Sequence, residues 1–92
     1  MVVNPAARVV RRDGAPVPLT PKMLDLLLAL MRRRGAAASR TELLADVWNG
    51  RAGLGPRTVD THVMELRKRL EDDPASPRHI LTVSKIGYRF EP

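Results

Sequence analysis

The sequence predicts a small α+β domain: a short antiparallel sheet at the N-terminus, three helices, and a terminal β-hairpin. Three observations carry this expectation. Two short β-prone runs near the start are joined by the turn dipeptide Asp13-Gly14. Between residues 20 and 73, three segments repeat apolar residues at helical spacing. Near the end, two β-rich runs, 80–83 and 88–90, flank a turn at 84–87. With 92 residues, one domain spans 1–92, divided into N-terminal strands 1–19, a helical core 20–73 and a hairpin 79–91.

Each element has a local reason. Pro16 and Pro18 restrict the second N-terminal strand to an edge or an irregular strand. The first helix starts after Thr20, an N-cap oxygen, with Pro21 at its first position. Leu24, Leu27, Leu28 and Met31 form its expected buried stripe, and Gly35 is the candidate C-cap. The run Arg32-Arg33-Arg34 is read as a complement to the negative end of the helix dipole rather than as a polyanion contact. In the second helix, SRTELLADVW at 39–48, Ser39 and Glu42 make the S-x-x-E capping box. Leu43, Leu44 and Val47 give its buried stripe, and Trp48 is expected in the core rather than stacked on a base. A loop with three glycines and one proline, 49–56, leads to the third helix, which starts near Arg57 and is expected to end by Pro74, after the acidic 71–73.

The third helix has two unlike sides. At ~100° per residue, Val59, Val63, Leu66 and Leu70 fall within a stripe about 60° wide, which must be buried. Opposite lie Arg57, Thr61, Met64 and Lys68, with Thr58 and Glu65 at one margin and His62 on a shoulder. Arg67 and Arg69 flank the buried stripe. A helix needing only solubility carries dense Glu–Lys pairs four apart. An outward Met and Thr between cations instead suit a surface that meets something. In a DNA major groove, cations reach phosphate or guanine, methyl groups meet thymine, and a carboxylate accepts from the cytosine amino group. Glu65 is read either as such an acceptor or as a solvated partner of Arg69; geometry leaves both open.

Charge agrees with a polyanionic partner, since the formal net charge is +6 and the pI about 11.1. It does not single out the third helix: residues 1–56 hold nine basic and four acidic residues, residues 57–92 seven and six. There is no cysteine, which excludes a disulfide framework or a thiolate metal site. The longest apolar run, LLLAL at 26–30, is far too short to span a membrane, and the N-terminus lacks a signal-peptide pattern; the expected location is the cytoplasm.

The motifs LTP at 19–21, SRTELLADVW at 39–48, RTVDTHVMELRKRLE at 57–71 and GYRF at 87–90 resemble the winged helix-turn-helix DNA-binding domain of OmpR/PhoB-type response regulators. The resemblance covers nearly the whole chain. It implies that the third helix, 57–71, lies in the major groove of double-stranded DNA and that the hairpin, 80–90, is a wing at the adjacent minor groove. It further implies phosphate contacts by Arg57, Thr58, Arg67, Lys68, Lys85 and Tyr88, and base reading by Thr61, His62, Met64 and Glu65. The loop 49–56 becomes a candidate contact with RNA polymerase, and a receiver domain is expected in the full-length protein. The domain is expected to be a monomer when free and a tandem pair on direct-repeat half-sites.

The chain departs from the family pattern at several positions. Met23 stands where relatives often have an acid, and Leu24 where they have Phe. Arginine is common in relatives at Met64 or Glu65. The wing reads Ser84-Lys85 where Arg-Gly is usual, so the minor-groove arginine is missing. The N-terminal sheet, at two or three strands, is shorter than the usual four.

An enzyme is not expected. Asp60 and His62 are two apart on a helix and diverge, and no nucleophile set, metal cluster or glycine-rich phosphate loop is present. No cofactor or metal is expected. The rival reading is a winged helix used for protein–protein contact without DNA readout; it favours apolar residues where Arg57 and Lys68 stand.

Overall fold

The computed structural model describes residues 1–51 and 53–92. The chain opens with β1 (Val2–Asn4), β2 (Val9–Arg12) and β3 (Ala15–Pro16), an antiparallel sheet in the order β1-β2-β3. Asp13 and Gly14 both take positive φ, 51° and 81°, and Arg12 pairs with Ala15 across them. This is the two-residue hairpin that the dipeptide predicts.

The helices follow as α1 (Pro21–Met31), α2 (Arg40–Trp48) and α3 (Pro56–Leu70). Thr20 Oγ1 caps α1 by accepting from the Met23 N–H at 3.2 Å. The expected α1 stripe requires correction. Leu26, Leu27, Ala29 and Leu30 are fully buried, and Met23 and Leu24 nearly so, whereas Leu28 and Met31 are only half-buried. The reason is position: α1 packs against α2, α3 and the terminal hairpin at once, so more than one side of it is covered. Arg32, not Gly35, caps α1; Gly35 closes the turn that follows, at φ 89°. Of the three arginines there, Arg33 donates Nη1 to the Ala29 carbonyl at 2.7 Å and pairs with Asp46, while Arg32 and Arg34 are exposed.

The capping box at α2 closes in both directions: Ser39 Oγ accepts from the Glu42 N–H and Glu42 Oε1 from the Ser39 N–H, each at 3.0 Å. Trp48 is buried with Leu43 and Val47, and Leu44 is half-buried. On α3, Val59, Val63, Leu66 and Leu70 are all 2% exposed or less, as the periodicity predicts.

A second sheet holds β4 (Ala38–Ser39), β5 (Ile80–Val83) and β6 (Gly87–Phe90) in the order β4-β6-β5. β4 has no sequence signal. Its two residues pair with Tyr88 and Gly87, which brings the start of α2 onto the hairpin. Gly87 permits this approach, because a Cβ there would collide with the Ala38 carbonyl.

The end of α3 also differs from expectation. The helix stops at Leu70, before the acidic 71–73 rather than after it. Glu71 is extended, at φ −90° and ψ 144°, and only 3% exposed. Its carboxylate accepts from the N–H groups of Arg78, His79 and Ile80, at 2.9, 3.0 and 2.8 Å. Those amides lie where the chain enters β5, and turning Glu71 out of the helix supplies their acceptor. Among the described residues, no helix is long and apolar enough to cross a membrane.

Candidate nucleic-acid interface

Burial of the α3 stripe turns the opposite face of the helix outward. Arg57, Thr61, Met64 and Lys68 are exposed there, Met64 at 56%. Thr58 and Glu65 are half-buried at the margin. Thr61 Oγ1 donates back to the Arg57 carbonyl at 3.0 Å, which leaves its methyl and its oxygen lone pairs available. Glu65 Oε1 lies 3.4 Å from Lys68 Nζ, a long, exposed pair of the kind that is worth little. Arg69 is not the partner of Glu65; it donates to the Pro18 carbonyl, toward the N-terminal segment.

His62 is a packing residue as well as a candidate reader. Its Nδ1 lies 2.8 Å from the Thr58 carbonyl, which can only accept, so Nδ1 carries the proton. The ring stands edge-on to Trp48, with centroids 4.8 Å apart. Nε2 is then its remaining polar atom for a partner.

Two expected phosphate contacts find partners inside the protein. Arg67 turns toward the hairpin: its Nε donates to the Ile80 carbonyl at 3.0 Å and its Nη2 to Thr82 Oγ1 at 2.8 Å. Tyr88 is buried, and its hydroxyl donates to Asp60 Oδ1 at 2.6 Å. That single proton is committed, so the free domain does not offer it to a phosphate. Lys85 sits at the exposed tip of the hairpin with φ 64°, beside the exposed Ile86.

Sequence reasoning missed the cluster around Tyr88. Arg40 Nε donates at 2.7 Å to the same Asp60 oxygen that Tyr88 uses. The Tyr88 ring is flanked by two guanidinium carbons, Arg40 at 5.4 Å and Arg67 at 5.6 Å from its centroid. The cluster joins α2, α3 and β6 beneath the outward face. Burial opposes ionisation of Asp60, yet the bonds from Tyr88 and Arg40 outweigh it and hold the carboxyl below its ordinary value. Burial and then the hydrogen bond to Asp60 push the Tyr88 hydroxyl up. One signal was available: Asp60 and Arg67 stand seven residues apart along one margin of the buried stripe.

The arrangement is a basic, methyl-bearing helix face braced by a hairpin. The family described as transcriptional regulatory protein, C terminal, matches residues 14–90. The chain belongs to that family. It is 43% identical over 89 residues to the transcriptional regulatory protein KdpE of Mycobacterium tuberculosis, covering 97% of this chain and 39% of that protein. It is 44% identical over 92 residues to the transcriptional regulatory protein AfsQ1 of Streptomyces coelicolor, covering 100% of this chain and 41% of that one. The chain thus spans about two fifths of the length of these relatives.

Among solved structures, the OmpR/PhoB homologue DrrB of Thermotoga maritima superposes with a TM-score of 0.91 at 33% identity, covering 98% of this chain and 41% of that one. The Klebsiella pneumoniae RstA DNA-binding domain, solved in complex with the RstA box, gives 0.83 at 33% identity, covering 96% and 87%. The fold of this family member is the winged helix-turn-helix of the OmpR/PhoB-type response regulators: α2 and α3 form the helix-turn-helix and β5–β6 the wing. Ala52, within the loop 49–56, lies outside the described residues.

Proposed function

We propose that this domain binds double-stranded DNA sequence-specifically to regulate transcription, as the effector domain of a phosphorelay response regulator. The observation that carries the reading is the outward face of α3, where Arg57, Thr61, Met64 and Lys68 stand exposed over a fully buried stripe. The likeness to the RstA domain solved on its DNA box supports it. In this reading α3 enters the major groove and the wing tip meets the adjacent minor groove. Arg57, Thr58, Lys68 and Lys85 face phosphates, and Arg67 contributes only through the part of its guanidinium not held by β5. Thr61, His62, Met64 and Glu65 face base edges.

The same reading places the domain in the cytoplasm, joined to a receiver domain, with loop 49–56 available to RNA polymerase. It is a monomer when free and a tandem pair on direct repeats. Selection of bound sites from random duplex DNA tests the proposal. Enrichment of a repeated half-site supports it; retention of duplex without any enriched motif reduces it to nonspecific binding.

A further inference from the structure

Glu71 is the one buried charged residue among the described residues. A buried carboxylate is costly unless its lone pairs are filled. Here they are filled by backbone amides of the segment entering the wing, with Ile80 N–H at 2.8 Å from Oε2. The Ile80 carbonyl is taken as well, by Arg67 Nε at 3.0 Å. Arg67 and Glu71 are four residues apart, so they are neighbours along one edge of the chain leaving α3. Both backbone groups of Ile80, a residue with no exposure, are therefore held by side chains from the recognition helix or its first residue beyond.

We propose that Glu71 is a positioning residue which, with Arg67, clamps the first wing strand to the recognition helix and so fixes where the wing tip stands relative to the groove-facing side. The consequence for DNA rests on the function proposed above. The lever is long. β5 has four residues, Ile80–Val83, and Lys85 lies beyond them. At ~3.3 Å per residue, a rotation of about 10° at Ile80 moves the tip by roughly 2 Å, enough to lose a phosphate contact. An ionised side chain here gives directed bonds that an apolar residue of the same volume lacks, which is what a fixed wing angle requires.

The experiment has a free-protein arm and a DNA arm. Amide hydrogen exchange of His79 and Ile80 is measured in the parent and in Glu71→Gln, with Val63 in the α3 core as reference. The proposal expects exchange at 79 and 80 to quicken by about tenfold or more, as on loss of a charge-assisted bond, with Val63 unchanged. Unchanged exchange at 79 and 80, or an equal rise at all three, overturns it. In the second arm, affinity for a selected duplex is measured for Glu71→Gln alone and together with Lys85→Ala. A loss of about tenfold with Lys85 present and less than about twofold without it supports action through the wing, because coupled sites are non-additive. Equal losses in both backgrounds overturn it. If Lys85→Ala alone leaves affinity unchanged, the wing contact itself is wrong and the DNA half of the proposal falls with it, while the exchange arm still decides the clamp. Should Glu71→Gln not fold, Glu71→Asp keeps the charge but shortens the reach, and the same two comparisons apply to it.

Discussion

The Tyr88 hydroxyl donates to Asp60 Oδ1 at 2.6 Å, which fastens the second wing strand to the first turns of the recognition helix. Arg40 shares the same oxygen from the start of α2. Removing the hydroxyl in Tyr88→Phe keeps the ring between its two guanidinium groups and leaves Asp60 with Arg40. The expected cost is about 1–2 kcal/mol in chemical denaturation, the worth of one hydrogen bond to a partly exposed charged acceptor. Affinity for duplex DNA should be unchanged in this variant, since the hydroxyl proton is already committed. A loss of affinity that is equal for all sequences would restore Tyr88 to the phosphate-facing set.

Acid should loosen the domain through two carboxylates. For Glu71 burial favours the neutral form, but the amides of Ile80, Arg78 and His79 outweigh it, so its pKa lies below the ordinary 4.5. Asp60 likewise lies below its ordinary 3.8. A depressed folded pKa means that the unfolded chain takes up the proton first. The stability from each group is thus fully present above these ordinary values and is lost as pH falls through the folded ones. Denaturation measured from pH 7 to 3 should show a plateau and then a decline below about 4.5, and Glu71→Gln should make that decline shallower. A parent profile that is flat down to pH 3 would contradict this assignment.

Leu66 has no exposure and sits in the middle of the α3 stripe. Leu66→Ala should cost about 2–5 kcal/mol, the transfer term plus the cavity left behind. A thermal melt unchanged by this substitution would mean that the stripe is not the buried face.

The same helix shows which parts of the molecule were legible in the sequence. The α3 stripe was, because a helix covered on one side leaves a periodic trace. Thr20, Ser39 and Glu42 were, because capping is local chemistry. The two-strand tie of Ala38–Ser39 was not, since its pairing with β6 depends on a contact some fifty residues away in the chain. The stripe of α1 was misread because a helix packed on several sides loses its periodicity. The inward turn of Arg67 and Tyr88, expected at phosphates from the family resemblance, and the burial of Glu71 were not legible, because sequence patterning records polarity, not the direction in which a long side chain turns. Each lies at the margin of the core, where an arginine, a phenol or a carboxylate reaches either water or a neighbouring backbone.

Lys68 is exposed and, among the described residues, held only by the long pair with Glu65. If it meets a phosphate, Lys68→Ala should weaken binding to all sequences alike and reduce the slope of log K against log salt by about one unit. Titrations at several salt concentrations measure this. Equal slopes for parent and variant would remove Lys68 from the phosphate-facing set.

In the proposed function, the exposed face of α3 reads bases. Thr61 and Met64 are exposed and Glu65 is half-buried outside the core, so replacing all three by Ala leaves the core intact. The direct measurement is the ratio of affinity for a selected site to affinity for scrambled duplex, in the parent and in the triple variant, with every base pair of the site substituted in turn. Nonspecific binding should hold or tighten, because the Glu65 carboxylate no longer repels phosphate. Preference should relax by about 1–3 kcal/mol at individual base pairs. A preference profile identical in parent and variant would contradict this reading and remove Thr61, Met64 and Glu65 from the base-facing set.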